Sequence, residues 1–376
     1  MRTNPDVLII GGGLAGLASA LHLSKKGLTV TVIEKAAYPR HKVCGEYISN
    51  EILPYLQWLN INISELHPTH ISTFEFSALN GKTTRTKLPL GGFGVSRFAL
   101  DNFLYKKAIQ NGCTIITDSV IGVSFEKNEF TITTSQQIFT SKIVLGAYGK
   151  RSNIDQFLDR DFIAKKSQWL AVKGHYKGEF DNSLVALHNF QGGYCGVSAV
   201  EKSIVNICYL ADYKTFKKYK NIDDYQKEVL HKNQKLKTVF ESSTPIFEKP
   251  LTISQISFDK KNPVDNHILM IGDTAGLIHP MCGNGMAMAI HSAKIASELV
   301  LDFYSGKIES LALLEKKYRK EWNKHFKKRL IMGRILAKAL RYKTFTSIMT
   351  SLAASMPFLL SVIIRQTHGS LIKINE

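Results

Sequence analysis

The chain has 376 residues, 44% hydrophobic and 21% charged, with a formal net charge of +18. Length points to two or three domains, and the ordinary composition excludes a disordered or collagen-like polymer. Five cysteines (Cys44, Cys113, Cys195, Cys208, Cys282) without a CxxC pair exclude a zinc ribbon and a disulfide framework, and fit a reducing cytoplasm.

In chain order, residues 6–10 read as a buried strand, 14–25 as a helix and 28–34 as a second strand. The early strand predicts no signal peptide. Residues 36–50 read as a loop. Two short strands flank Asn80-Gly81 within 71–95. Leu100, Leu104 and Ala108 mark a helix over 97–111. A β meander over 114–140 and a strand over 142–147 follow. Residues 165–257 change to antiparallel α+β patterning, with strands near 169–176, 184–190, 194–200, 203–210 and 251–257 and a helical stretch over 214–240. A strand at 268–271 and a helix at 284–303 precede a basic helical tail.

Gly11-Gly12-Gly13-Leu14-Ala15-Gly16 fits GxGxxG between a strand and a helix, and Glu34 closes the next strand. Gly11 permits the tight turn, Gly13 the approach of a pyrophosphate, and Gly16 close helix–strand packing. Helix N-terminal amides then face phosphate. The bland alternative is a glycine-rich turn without a ligand. The pattern alone leaves FAD and NAD open.

The second segment decides for FAD. A strand delivers Gly272-Asp273, and Gly276, Pro280, Gly283 and Gly285 lead into a helix whose start favours the negative edge of a reduced flavin. With Gly11 to Glu34, Arg97 with Asp101, and Gly146 to Ser152, this resembles the flavoprotein superfamily of geranylgeranyl reductases and class A flavin monooxygenases. The tract Pro39 to Glu46, with Cys44-Gly45, is similar to the reductase branch. The resemblance implies a glutathione reductase-type, Rossmann-like FAD-binding domain (1–70, 96–164 and 258–304), an antiparallel-sheet substrate domain (71–95 and 165–257) and a basic helical region (305–376). The expected class is thus α/β plus α+β.

The resemblance further implies that Glu34 binds the adenosine ribose, Arg97 lies near the phosphates or ribityl, and Asp273 binds the ribityl chain. The expected FAD-binding set is Gly11, Gly13, Leu14, Ala15, Gly16, Glu34, Lys35, Arg40, Cys44, Gly45, Arg97, Val120, Gly149, Gly272, Asp273, Pro280, Gly283, Gly285 and Met286. Tyr148 stands where the hydroxylases carry an acid before Gly149, which puts NADPH handling in their manner in doubt. The halogenase Trp-x-Trp-x-Ile-Pro tract is absent. Cys44, Glu46 and His279 are the catalytic candidates, each with a structural alternative: a small buried hydrophobe, a solvated acid, a core histidine. No metal site is predicted.

Trp169, Tyr176, Phe190, Tyr194 and Tyr209 are candidates for the wall of a hydrophobic substrate site, with ordinary core as the alternative. With no second GxGxxG, electrons come from transiently bound NAD(P)H or a protein electron carrier. The favoured reading is reduction of a C=C bond in an isoprenoid-like molecule. Hydroxylation of an aromatic or phenolic lipid and a redox-neutral flavoprotein are the alternatives.

Residues 306–343 hold thirteen Lys and Arg against three Glu. Trp322, Phe326, Leu330, Gly333, Ala337 and Leu340 recur at helical spacing, a basic amphipathic pattern. The expected location is cytoplasmic, with peripheral attachment to the anionic inner face of the membrane or packing on the core as alternatives. Residues 344–364 carry no charge, but their Ser, Thr and Pro357 make a poor spanning helix. No recognition module for nucleic acid accompanies the charge.

Overall fold

The computed structural model describes residues 4–339 and 364–374. Val7–Ile10 is four buried aliphatic residues, the signature of a strand covered on both faces. It lies between Val30–Glu34 and Ile143–Gly146, parallel to both. Ile268–Met270 and Thr114–Thr117 extend the sheet in parallel, and Val264–Asp265 closes one edge antiparallel. Four long helices complete the framework: α1 (Leu14–Lys25), α2 (Arg97–Gln110), α3 (Gly285–Tyr304) and α4 (Leu311–Ala339). α1 packs between α2 and α3, and α4 lies on α3.

A second, larger sheet runs in the order Ser243–Pro245, Trp169–Gly178, Ile204–Asp212, Gly193–Val200, Leu184–Phe190, Thr69–Ser77, Thr83–Gly94, Tyr47–Ser49, with Leu251–Ser254 also on Trp169–Gly178. Its pairs are antiparallel except Leu184–Phe190 with Thr69–Ser77, which run parallel. The two-residue period of its strands sorts the side chains. Leu170, Val172 and Tyr176, with Val205, Ile207 and Tyr209, form one apolar face against short helices between 213 and 241. Ala171, Lys173 and His175, with Tyr194, Ser198, Asn206 and Leu210, lie on the other.

Three expectations change. Thr114–Thr117 joins the parallel sheet, so the meander is only Val120–Glu126, Glu129–Thr134 and Ile138–Ser141. The presumed loop 36–50 ends in the strand Tyr47–Ser49, which pairs with the large sheet. The stretch 214–240 is broken into short helices because Asp212, Asn221 and Asn233 each turn a side-chain oxygen onto following amides and start a new helix. Among the described residues no helix is long and apolar enough to cross a membrane; residues 344–363 of the uncharged stretch lie outside them.

Candidate functional site

The glycine turn is built as its spacing requires. Gly11 holds φ at +106°, and a Cβ there would lie 2.5 Å from the Ala147 carbonyl oxygen. A Cβ on Gly16 would lie 2.0 Å from the Gly11 oxygen, so α1 can meet the strand only through glycine. Gly13 is different. Its nearest groups are two cations, the Arg97 guanidinium at 3.9 Å and Lys42 Nζ at 4.0 Å from a hypothetical Cβ. No side chain caps α1, and its first turn, from Leu14 and Ala15, holds no acid. Glu34 is buried; its Oε2 accepts the Gly12 amide at 2.8 Å and its Oε1 accepts from Arg40 at 2.6 Å. Lys35 is exposed. Val120 opens its strand three residues after Thr117, the neighbour of Glu34.

Two buried ionic groups stand beside the turn. Asp101 accepts from Arg97 at 2.6 and 2.8 Å and from Lys42 at 2.7 Å. Burial alone would raise its carboxyl, but the two cations hold it below the ordinary 3.8. One carboxylate thus orients two cations, and the surplus positive charge faces Gly13. In the second group, Glu46 accepts from the Arg97 amide at 2.7 Å, Lys173 at 2.5 Å and His175 at 2.7 Å. Burial again opposes ionisation, and the His175 hydrogen bond and Lys173 charge overcome it, leaving Glu46 below 4.5. Lys173 also donates to the Lys42 carbonyl at 3.1 Å, which links the two groups. Glu46 holds φ at +55°, a conformation that costs a non-glycine residue about 1–3 kcal/mol; three donors fix it there.

This anchoring sets the Cys44-Gly45 turn. Asn206 donates to both carbonyls, at 3.3 and 2.8 Å, and Ser198 to that of Gly45 at 3.2 Å. Cys44 Sγ then lies 3.6 Å from Met286 Sδ in the first turn of α3. That helix also starts without a side-chain cap or an acid. By contrast α2 is doubly capped: Ser96 accepts the Ala99 amide, and Glu46 accepts that of Arg97.

The Gly272–Thr274 turn is pinned from behind. Gly272 has φ of +61°. Buried Lys261 donates to the carbonyls of Asp273 at 3.0 Å and Lys150 at 2.7 Å, and buried Arg160 to that of Thr274 at 3.1 Å. Burial lowers the Lys261 ammonium to about 8. Thr274 accepts the Gly149 amide at 2.8 Å, joining this turn to the stretch from Gly146 to Ser152. His279 is buried among Trp169, Tyr194 and Phe258, with ring centroids 5.9, 5.4 and 4.5 Å away. Pro280 leads into the turn at Gly283, and Gly285 opens α3. Of the five aromatic wall candidates, Trp169 and Tyr194 face this segment; Tyr176, Phe190 and Tyr209 belong to the core on the opposite face.

Residues 6–43 match the family model described as FAD dependent oxidoreductase. The chain is related to the FAD-dependent oxidoreductases. It is 24% identical to the digeranylgeranylglycerophospholipid reductase of Methanococcus vannielii, over 94% of this chain and 90% of that protein. The squalene monooxygenase of Rattus norvegicus is 23% identical over 92% of this chain and 62% of its own length. Among solved structures, a flavin-dependent brominase superposes with a TM-score of 0.80 at 19% identity, covering 97% of this chain and 93% of that one. These relatives are enzymes, and the structural likeness establishes the shared fold.

The residues present fit FAD. The open face of Gly13, with Lys42 and Arg97 turned onto it, suits a pyrophosphate, and two uncapped helix starts leave donors for a ligand. Sequence reading passed over Lys42, Lys173, His175, Arg160 and Lys261. Lys173 and His175 carried a legible signal: two polar residues at i and i+2 within the aliphatic and aromatic run from Trp169 to Tyr176 share one face.

Proposed function

We propose that this protein is an FAD-dependent reductase of a C=C bond in a hydrophobic, isoprenoid-like molecule. The observation that carries this reading is the Cys44 thiol, fixed beside the first turn of α3 by a turn whose two carbonyls are tied to the large sheet. The reductase from Methanococcus vannielii, matched along nearly its whole length, supports it.

When bound, FAD supplies the two-electron transfer. In this reading Gly13 to Gly16, Lys42 and Arg97 hold the pyrophosphate, Glu34 the adenosine ribose and Asp273 the ribityl chain. The start of α3, at Gly285 and Met286, would favour negative charge on a bound flavin. With the hydride supplied to one carbon of the double bond, the Cys44 thiol would give its proton to the other carbon and regain one from solvent. Glu46 acts as an anchor, since all its bonds run to protein donors. His279 and its aromatic neighbours exclude water. The electrons come from NAD(P)H or a protein electron carrier. Monooxygenation is the second reading, favoured by that dry aromatic cluster and by the likeness to squalene monooxygenase.

The test is single turnover of the reduced protein, without oxygen, on a polyprenyl lipid. A product with two added hydrogens supports the proposal, and Cys44→Ala slows its formation. No product without oxygen, and an oxygen-containing product with it, replaces the proposal by the second reading.

A further inference from the structure

The large sheet turns one face to the proposed flavin site, and two chain segments stand on that face. Ser198 and Asn206 donate to the carbonyls of the Cys44-Gly45 turn and carry it. Tyr194 lies four residues before Ser198 on the same strand, roughly 13 Å away. Its hydroxyl meets His279 Nδ1 at 3.3 Å. Between these two footings lies Gly196, paired with Leu187 on one side and Cys208 on the other.

Other glycines of this sheet have packing reasons. A Cβ would lie 2.1 Å from the Leu210 carbonyl oxygen at Gly193, and 2.6 Å from the Tyr176 ring at Gly174. Among the described residues beyond its chain neighbours, a Cβ on Gly196 would meet only the Cys208 carbonyl oxygen, at an ordinary 3.7 Å. Its φ is not in the left-handed region either. Neither packing nor backbone therefore calls for glycine here. A glycine inside a strand weakens it, and marks a place where a ligand approaches closely. Gly196 and Cys208 are partly accessible, whereas Tyr194, Ser198, Asn206 and Leu210 around them are buried. Cys44 and Gly45 in the turn are accessible too. This floor is neutral: burial, and then Cys44, push the Cys208 thiol up to about 12, so it stays protonated.

We infer that the double bond of the substrate lies over Gly196 and Cys208, between the Cys44-Gly45 turn and His279, and that the space left by the missing Gly196 side chain receives a methyl branch carried on that bond. Gly196 is then the residue that selects a branched chain over a linear one. The inference rests on the isoprenoid-like substrate proposed above, and assigns recognition of its branching to one position.

The test is titration of the oxidised, FAD-loaded full chain with farnesol and with a farnesol analogue lacking the methyl branches, followed by calorimetry and by flavin absorbance. Wild type is expected to favour farnesol. Gly196→Ala puts a methyl group into the space. It is expected to lose about fourfold in farnesol affinity, the worth of one buried methyl-sized group, and to keep its affinity for the unbranched alcohol. Gly196→Leu, which fills the slot, is expected to weaken both. Circular dichroism checks that each variant is folded, and Gly196→Ala decides alone if Gly196→Leu is not. Unchanged farnesol affinity in Gly196→Ala overturns the inference, as does an equal loss of both alcohols, or wild type that binds neither. No turnover is involved, so a protein that binds farnesol with this dependence and does not reduce it sinks the proposed reaction and leaves the inference standing.

Discussion

Glu46 shows what a single residue contributes here. Its carboxylate satisfies the Arg97 amide, a buried lysine and a buried histidine at once. Glu46→Gln leaves Lys173 buried without its counter-charge and is expected to destabilise the fold by about 3–5 kcal/mol at neutral pH; an unchanged denaturation midpoint would contradict this. The pH dependence has a definite sign. Glu46 and Asp101 both sit below their ordinary values of 4.5 and 3.8. Their contribution is complete above about pH 4.5 and is lost as pH falls through the lower folded values, so the variant's acid unfolding limb is shallower than that of wild type. Gly13 makes the cofactor claim testable. Gly13→Val places a branched side chain between Lys42, Arg97 and the phosphate path, and purified protein is expected to lose its flavin absorbance; a fully yellow variant refutes the assignment.

The glycines were legible because their spacing encodes a backbone requirement, and the elements around them followed from four-residue aliphatic strands. The ionic groups were less legible. Lys173 and Glu46 stand 127 positions apart, and only the folding of the large sheet, to which both Trp169–Gly178 and Tyr47–Ser49 belong, brings them together. At the element scale, α4 repeats the lesson. Its apolar stripe was readable, but not what it covers. Trp322 and Leu330 pack against Gly276, and Gly333 lies against Cys282 and His279, so α4 backs the chain between the two turns of the proposed flavin site. Trp322→Ala is expected to cost about 3–5 kcal/mol in thermal or chemical unfolding. A loss under 1 kcal/mol would mean that α4 is only loosely docked.

For the whole molecule, burying that stripe leaves Lys316, Lys320 and Lys327 exposed on the opposite side of α4. We propose that they meet an anionic membrane. Changing the three to Glu should lower co-sedimentation with phosphatidylserine vesicles at low salt, as should raised salt with wild type; equal sedimentation of both proteins rejects the idea. The helix starts carry a different consequence. Of three helices that begin near the proposed cofactor, α2 has its opening amides bound by the protein's own Ser96 and Glu46, whereas no side chain caps α1 or α3. Empty and loaded protein should then differ where those two helices begin. In amide hydrogen exchange, adding FAD is expected to slow Gly13 to Gly16 and Gly285 to Ala287 and to leave Arg97 to Ala99 unchanged. On this view the nucleotide is the last piece of secondary structure to form, a terminus that the polypeptide leaves for its ligand to finish.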